Sequence, residues 1–573
     1  PEIRGVLDLA AVLGRRLSEL GLYAAIELSP GQAGESLSRL RDEGYLREVS
    51  GDLEFRNELI RAQAYYAVAG TIRQHLHRRV ADLIAKDHSQ DDRSICLEIA
   101  WHHLRGGDVA SALPFAIEGA DAVLGVGVPY AAEEILNAIL SIDPTPPNAD
   151  KIRLLLARAL IDQSKAEQAI PLIEKLGSSE SLSLSESAQI AMLRASAEFM
   201  LSRGQGPRYC DAARKALEAA RRTSDAELVA QSLFECARAG TEEGILELVQ
   251  TAIEGVETLE RSMGVALTPM AFLTKAYCRF FLGNPREARG ILDRVLGICK
   301  NKANAAQLAL IHSGLGITNH FLGCFDEAYQ HHLVALDLTR KVGDDGRVCT
   351  IASNLCTVLM NRGDCHEAIR YGRMSVECGE ATANSTLVIS YTNLIDPHML
   401  LGQQAEAVLC LEKATRWMGP ERRWKLRLQF LIEAASFALM QRNIALAMDL
   451  IAQLEALAQG REAAVSMPGA YWKLKLFRKA NLGNWQESHD GASSLADRWK
   501  LSYPFPFLDI IALKAWLERK QHGSIRPETV EELQVFERLG ATGKRQLLIL
   551  QGFLEPSDTP HYAKNFKQQQ LVS

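Results

Sequence analysis

A six-residue phrase returns about every forty residues through the second half of this 573-residue chain. It reads Gly-Asn-Pro-Arg-Glu-Ala at 283–288, Gly-Cys-Phe-Asp-Glu-Ala at 323–328, Gly-Asp-Cys-His-Glu-Ala at 363–368 and Gly-Gln-Gln-Ala-Glu-Ala at 402–407. A degraded copy ends at Ala447, and Gly-Asn-Trp-Gln-Glu-Ser occupies 483–488. A fixed period of this length specifies a stack of identical supersecondary units, each burying its apolar face against the next. Glycine ends one helix because it tolerates left-handed dihedrals, and the short polar step after it starts the next. The closing alanine belongs where the two helices cross, since a larger side chain would push them apart. Twelve residues before it stands a second small residue, Ala276, Gly316, Cys356 or Ala435, although Ile395 breaks the series.

Paired small residues facing each other across a helical hairpin resemble the tetratricopeptide repeat, whose usual period is 34. A period of forty implies longer helices. The expected fold is therefore all-α: a right-handed α-α superhelix, regular over 266–500 and preceded over 91–265 by diverged hairpins. Gly106-Gly107-Asp108 with Ala112, and Ser164 with Ala169, mark two of these. Within the less regular 177–265, a Ser-rich run at 178–186 and the turn Gly204-Gln205-Gly206-Pro207 stand where a regular phrase would be. Helices at 505–519 and 527–539 and a polar tail, Lys564–Ser573, are expected to close the chain over 501–573.

Residues 1–90 have a different pattern. Ile3, Val6, Leu7, Leu9, Ala10 and Leu13 share one helical face, a second short helix is expected over 17–27, and a third over 33–43. Tyr45–Val49, a Ser50-Gly51-Asp52 turn and Leu53–Arg56 form a β-hairpin, and one long helix over 58–86 follows. Three helices and a hairpin make a small winged-helix domain.

The pieces Leu7-Asp8-Leu9-Ala10-Ala11-Val12-Leu13-Gly14-Arg15-Arg16, Leu40-Arg41-Asp42-Glu43-Gly44-Tyr45-Leu46, Phe55-Arg56-Asn57-Glu58-Leu59-Ile60 and Leu76-His77-Arg78-Arg79-Val80-Ala81 occur in that order. Together they resemble the winged-helix segment that follows the nucleotide-binding domain of STAND-type signal-transduction ATPases. These include large LuxR-type activators and adenylate-cyclase-associated regulators. The resemblance covers 1–90, and the repeats extend it over most of the chain. It implies a nucleotide-binding domain, carrying ATP or ADP, as the partner of this region, and possible oligomerisation on activation. The family usually has histidine after Phe-Arg, where it reports the nucleotide's phosphates. Here that position is Asn57, which donates a hydrogen bond but carries no charge.

A net charge of −6 is small for this length and argues against general nucleic-acid binding. Residues 1–90 hold twelve Lys/Arg against thirteen Asp/Glu, so the winged helix lacks the basic face of a DNA reader. No apolar run approaches the roughly 20 residues of a membrane span. Eleven scattered cysteines without a Cys-x-x-Cys pair suit free thiols in a reducing cytoplasm. The chain starts at Pro1 without a leader, as expected of a fragment or a processed form of something longer.

Little in the chain suggests catalysis. Gly540-Ala541-Thr542-Gly543-Lys544-Arg545 superficially resembles a phosphate-binding loop but lacks its early glycine, its Ser/Thr after lysine and its preceding strand. Histidines cluster at 312, 320, 331, 332 and 366, with His320 and His331 able to face each other across a hairpin near Cys324. They lack the ligand spacing of a metal site. Trp417, Trp424 and the cations Lys413, Arg416, Arg422, Arg423, Lys425 and Arg427 form the densest basic-aromatic patch, read as the rim of one hairpin with its tryptophans sealing the joint. No enzyme active site, cofactor or metal is expected.

The groove of the superhelix is the better candidate site. Fourteen and eleven residues before each alanine, the first helix of a hairpin lines the concave side. These positions hold Thr274 and Tyr277, Gly314 and Ile317, Asn354 and Thr357, Asn393 and Asp396, then Glu433 and Ser436. The row contains no lysine or arginine, which argues against a clamp for acidic peptide tails. Amides and hydroxyls suit a small polar inducer or a partner helix, while asparagines can equally bridge neighbouring helices. The expected function is a sensor arm that holds a nucleotide-binding domain closed until its groove is filled. The alternative is a free-standing repeat scaffold for protein partners.

Overall fold

The computed structural model describes residues 2–13, 27–49, 52–87, 93, 95–179, 182–201, 207–263, 268–299, 304–381, 387–418, 424–462, 465 and 467–558. The short helix expected over 17–27, the turns at 50–51 and 204–206, Arg422, Arg423 and the polar tail lie outside these, wholly or almost so. The chain divides into two compact units, one of residues 1–162 with 171–179 and one of residues 163–170 with 180–573.

In the first unit, α1 (Glu2–Leu13) and α2 (Pro30–Asp42) precede a hairpin of β1 (Leu46–Val49) and β2 (Asp52–Phe55). The strands pair antiparallel, Leu46 opposite Phe55. Pro30 begins α2, because a proline at the first helical position loses no hydrogen bond. Ser29 caps that helix in a capping box with Gln32. Val6, Leu9, Leu37, Leu40, Leu46, Phe55 and Val80 share one buried core, so the expected helix face and the hairpin meet as anticipated. The single helix expected over 58–86 is two, α3 (Glu58–Ala67) and α4 (Gly70–Asp87). The break falls at Val68-Ala69, where a β-branched residue and Gly70 are both weak helix formers, and Val68 turns extended to bury its side chain.

Helical hairpins follow: α5 (Ile95–Arg105), α6 (Val109–Val126), α7 (Pro129–Ile142) and α8 (Ala149–Asp162). Ala100 and Ala112 are fully buried at the α5–α6 crossing. By length and composition α6 is apolar enough to cross a membrane, with a mean hydropathy of 1.5 over 18 residues, which corrects the expectation that no such run exists. Its buried face, including Ala112, Ala116 and Ala120, packs between α5 and α7.

Next come α9 (Ala166–Gly177), α10 (Leu184–Leu201), α11 (Pro207–Arg221), α12 (Ala226–Glu243), α13 (Leu246–Met263), α14 (Pro269–Phe281), α15 (Pro285–Cys299), α16 (Ala305–Phe321), α17 (Phe325–Val342), α18 (Asp345–Arg362) and α19 (Cys365–Ala381). The short α20 (Leu387–Thr392) and α21 (Ile395–Leu400) precede α22 (Gln404–Met418), α23 (Trp424–Met440), α24 (Ile444–Ala458), α25 (Pro468–Asn481) and α26 (Trp485–Ser502). The chain ends in α27 (Pro504–His522), α28 (Pro527–Leu533), α29 (Val535–Arg538), α30 (Thr542–Leu550) and a 3-10 turn at Pro556–Asp558.

The hairpins fall in phase with the phrase. Gly283, Gly323, Gly363, Gly402 and Gly483 all have positive φ, and at the degraded copy Arg442 takes the same conformation at φ 58°. Ala288, Ala328, Ala368, Ala407, Ala447 and Ser488 are fully buried, as are Cys356, Ile395 and Ala435 opposite them. Less regular sequence still makes α10–α11 and α12–α13 pairs, the second turning at Gly244 (φ 74°). At Ile395 the first helix of a hairpin is split into α20 and α21. Pro397 explains the break: its ring clashes with the carbonyl four residues earlier, that of Asn393.

The second unit curls back on itself. Phe321 of α16 stacks on Tyr503 at 5.4 Å, and Trp424 Nε1 of α23 donates to the Glu242 carbonyl at the end of α12, 2.7 Å away. The last helix, α30, packs against α18 and α21. Gly543 permits this contact, because a Cβ there would sit 1.8 Å from the Met360 carbonyl oxygen.

Candidate functional site: a charged cavity inside the repeat array

The first helices of successive hairpins, α16, α18, α20–α21, α23 and α25, turn one face toward a common cavity of about 280 Å³, which α27 and α30 also line. Seven of the ten groove positions meet there: Ile317, Asn354, Thr357, Asn393, Asp396, Glu433 and Ser436; Gly314 is not among the lining residues. Nor are Thr274 and Tyr277. The Thr274 hydroxyl is buried and donates to the Met270 carbonyl at 2.9 Å, and the Tyr277 hydroxyl pairs with Thr241 Oγ1 at 2.7 Å. Both serve helix packing. Asn57 is placed elsewhere, as the N-cap of α3, its Oδ1 accepting from the Ile60 amide at 2.9 Å.

Asn393 illustrates how the local sequence shapes the wall. It occupies the break between α20 and α21, and its Nδ2 donates to Ser353 Oγ on α18 at 2.9 Å. The asparagine therefore bridges neighbouring hairpins. Asp396, three residues on, is carried into the cavity by the restarted helix.

The row itself holds no cation, but cations reach the cavity from outside it. Lys473 of α25 and Lys544 of α30 both line the cavity. Both ion-pair with Asp509 of α27, at 2.9 Å and 3.1 Å, and Lys473 also donates to Gln551 Oε1 at 2.7 Å. Lys544 belongs to the segment that superficially resembled a phosphate loop; its ammonium is spent on a carboxylate and on the face of Phe505, 5.4 Å away. Burial would push Asp509 up, but the two lysines outweigh it and hold the carboxyl below its ordinary value.

Asp396 and Glu433 feel the charge of the same lysines but form no direct ion pair with them. Asp396 Oδ1 is buried without a hydrogen-bond partner. Burial pushes Asp396 up to about 6, against the opposing pull of Lys544 and Lys473. Burial, and then the charge of Asp396, pushes Glu433 up to about 8. His320 also lines the cavity and is held neutral, pushed down to about 3 by burial, with Asn361 Nδ2 3.1 Å from its ring nitrogen.

Elsewhere His320 does not face His331; His331 meets His312 instead, Nδ1 to Nδ1 at 3.0 Å. Among the described residues no group of three His, Cys, Asp or Glu side chains is placed to hold a metal ion. In the basic-aromatic patch Trp424 seals a joint, buried and bonded to Glu242, whereas Trp417 stays exposed.

Lys473, Asp509, Lys544 and Gln551 escaped the sequence reading. The positional rule pointed in α25 to residues 474 and 477, one step off Lys473, and α30 carries no copy of the phrase. The available signal was a lone charge in an apolar helix, as at Asp509 within Pro-Phe-Pro-Phe-Leu-Asp-Ile-Ile-Ala-Leu.

No protein-family model matches the chain, and no curated protein does. Solved structures do resemble it. One is a signal transduction ATPase with numerous domains (STAND) protein with a tetratricopeptide repeat sensor from Pyrococcus horikoshii, at 13% identity and TM-score 0.40, covering 73% of this chain and 63% of that one. Another is the Cut9–Hcn1 hetero-tetramer of the APC/C, at 13% identity and TM-score 0.45, covering 86% of this chain and 96% of that one. A third is a Rap protein complexed with Competence and Sporulation Factor, at 12% identity and TM-score 0.40, covering 71% and 100%.

Proposed function

We propose that this chain is the sensor and regulatory region of a STAND-type signal-transduction ATPase. Its repeat array binds an inducer, and the binding controls nucleotide-dependent activation and oligomerisation of an output domain elsewhere. The observation that carries the reading is the convergence of Asn354, Thr357, Asn393, Asp396, Glu433 and Ser436 on one cavity. Burying three carboxylates and two lysines there costs stability that an apolar filling would have preserved. Such an arrangement belongs to a recognition site.

In this reading α1, α2 and the β1–β2 hairpin form a winged helix that docks on the nucleotide-binding domain rather than on DNA. ATP or ADP is held by that domain, and this chain contributes neither catalysis nor a cofactor site. Asn57, engaged in capping α3, leaves phosphate sensing to residues outside the chain. The cytoplasm is the proposed setting, supported by ten cysteines outside any disulfide among the described residues. The mechanism is a population shift: an inducer binding the active arrangement more tightly raises its share by its differential affinity.

The test joins the chain to the nucleotide-binding domain encoded in the same reading frame. Asn354→Trp, which fills the cavity from a half-buried position on α18, is expected to abolish inducer-dependent nucleotide exchange while leaving the protein folded. Unchanged induction in this variant sinks the reading. A reading frame with no nucleotide-binding domain replaces it with the scaffold alternative.

A further inference from the structure

We propose that the cavity is a recognition site for a small aliphatic primary amine, whose ammonium is held between Asp396 of α21 and Glu433 of α23. This assignment deepens the sensor reading and rests on it.

An unpartnered acceptor points to a missing donor. Both lysines of the cavity are engaged by Asp509, so neither neutralises Asp396 by direct pairing, and Glu433 beside it carries a proton near neutral pH. Asp396 is 9% exposed and Glu433 7%. Asp396 Oδ1 has no hydrogen-bond partner, a condition that costs the full desolvation of a charged acceptor. A buried carboxylate is normally paired or bonded, and here the partner is an ammonium supplied from outside. An anion would have to displace Asp509 from both lysines, whereas a cation leaves both ion pairs intact and displaces only the proton of Glu433.

Size and lining narrow the class. About 280 Å³ lies just below the roughly 300–1,000 Å³ of drug-sized ligand pockets, which suits a small ligand and not a partner helix. Ile317, Ile432 and Met467 supply apolar wall beside the carboxylates, which suits a short methylene chain. Ser436 and Thr357 supply hydroxyls for a second polar end.

Binding should also move a proton. The charged and titratable groups facing Glu433 are Asp396 on α21, Lys473 on α25, Asp509 on α27 and Lys544 on α30, with His320 of α16 and His332 of α17 lining the cavity in neutral form. Near neutral pH Glu433, pushed up to about 8 by burial, carries a proton. An arriving ammonium favours the carboxylate and expels that proton.

The experiment uses the full chain with putrescine as the probe, 1,4-butanediol as its uncharged isostere and succinate as the anion. Calorimetry at pH 7 in two buffers of different ionisation enthalpy is expected to show saturable putrescine binding with net proton release, and no binding of the diol or succinate. Asp396→Asn and Glu433→Gln should each weaken putrescine about tenfold or more, with Glu433→Gln also abolishing the proton release. Glu367→Gln, an exposed carboxylate elsewhere on the array that pairs with Arg370, should change nothing. Putrescine binding that persists in the Asp396→Asn/Glu433→Gln double variant, or equal binding of the diol, overturns the assignment. If succinate or glucose binds in a manner lost with Asn354→Trp while putrescine does not, the ammonium assignment falls and the sensor reading stands. If no probe binds and Asn354→Trp leaves induction intact, both fall.

Discussion

Glu433 shows how a residue can be legible in its position and not in its state. Its place in the repeat pointed to the cavity, but its chemistry depends on Asp396, which arrives from another hairpin. Burial and that neighbouring charge raise its folded pKa to about 8, well above its value in the unfolded chain. A raised folded pKa contributes stability that is complete below the unfolded pKa and is lost as pH rises through the folded one. The native state is thus weakened between about pH 4 and pH 8 by the need to ionise a buried acid. Glu433→Gln removes the titration and keeps the shape. It is expected to stabilise the second unit at pH 9 by on the order of 2–4 kcal/mol, while its melting temperature at pH 4.5 stays close to that of the unaltered chain. Thermal scans across pH check this; equal melting temperatures at pH 9 would mean that Glu433 is not buried as described. Lys473 was not legible because the periodic rule names backbone positions, and a long lysine side chain reaches the cavity from the adjacent position.

At the scale of elements, the hairpins from Gly283 to Ser488 were legible because each repeats the same local solution: a left-handed turn, then a small residue at a close crossing. Features made by a single residue against a distant one were not. Pro397 splits one helix and turns Asp396 inward, a break that the proline announces but whose consequence depends on the cavity beyond it. The α30 contact is less visible still, since it matches Gly543 to a carbonyl on α18 with no repeated phrase. Its prediction follows from geometry. In Gly543→Ala the new methyl meets the Met360 backbone carbonyl, which cannot swing aside as a side chain would. Overpacking of this kind costs about 1–3 kcal/mol or more, so α30 should lift from α18 and take Lys544 from Asp509. Hydrogen exchange over 543–550 is expected to accelerate strongly while α14 and α15 keep their protection. Unaltered protection of α30 would show that the close approach does not hold it.

For the whole molecule, the distribution of buried titratable groups predicts different acid sensitivities for the two units. In the first, His77 and His102 share a hydrogen bond at 2.9 Å and are pushed down by burial to about 4 and about 3; His103 is also lowered, while Asp8 is raised. A histidine with a depressed folded pKa keeps its full native stability above about pH 6.5 and loses it as pH falls toward the folded value, because the unfolded chain takes up the proton first. In the second unit His312, His320, His331 and His332 are lowered in the same way. There, however, Asp396, Glu433 and Glu227 are raised, and each regains stability as the pH falls toward the ordinary carboxylate range. The raised Asp396, Glu433 and Glu227 offset the histidines in the second unit more than the raised Asp8 does in the first. On acidification from pH 7 to pH 4.5 the first unit is therefore expected to melt at progressively lower temperature while the second shifts much less. Domain-resolved hydrogen exchange, or calorimetry with its transitions assigned by His102→Asn, measures the difference. A second unit that loses stability as steeply as the first would mean that Asp396 and Glu433 are not raised, and would remove the protonated Glu433 on which proton release by an arriving amine depends.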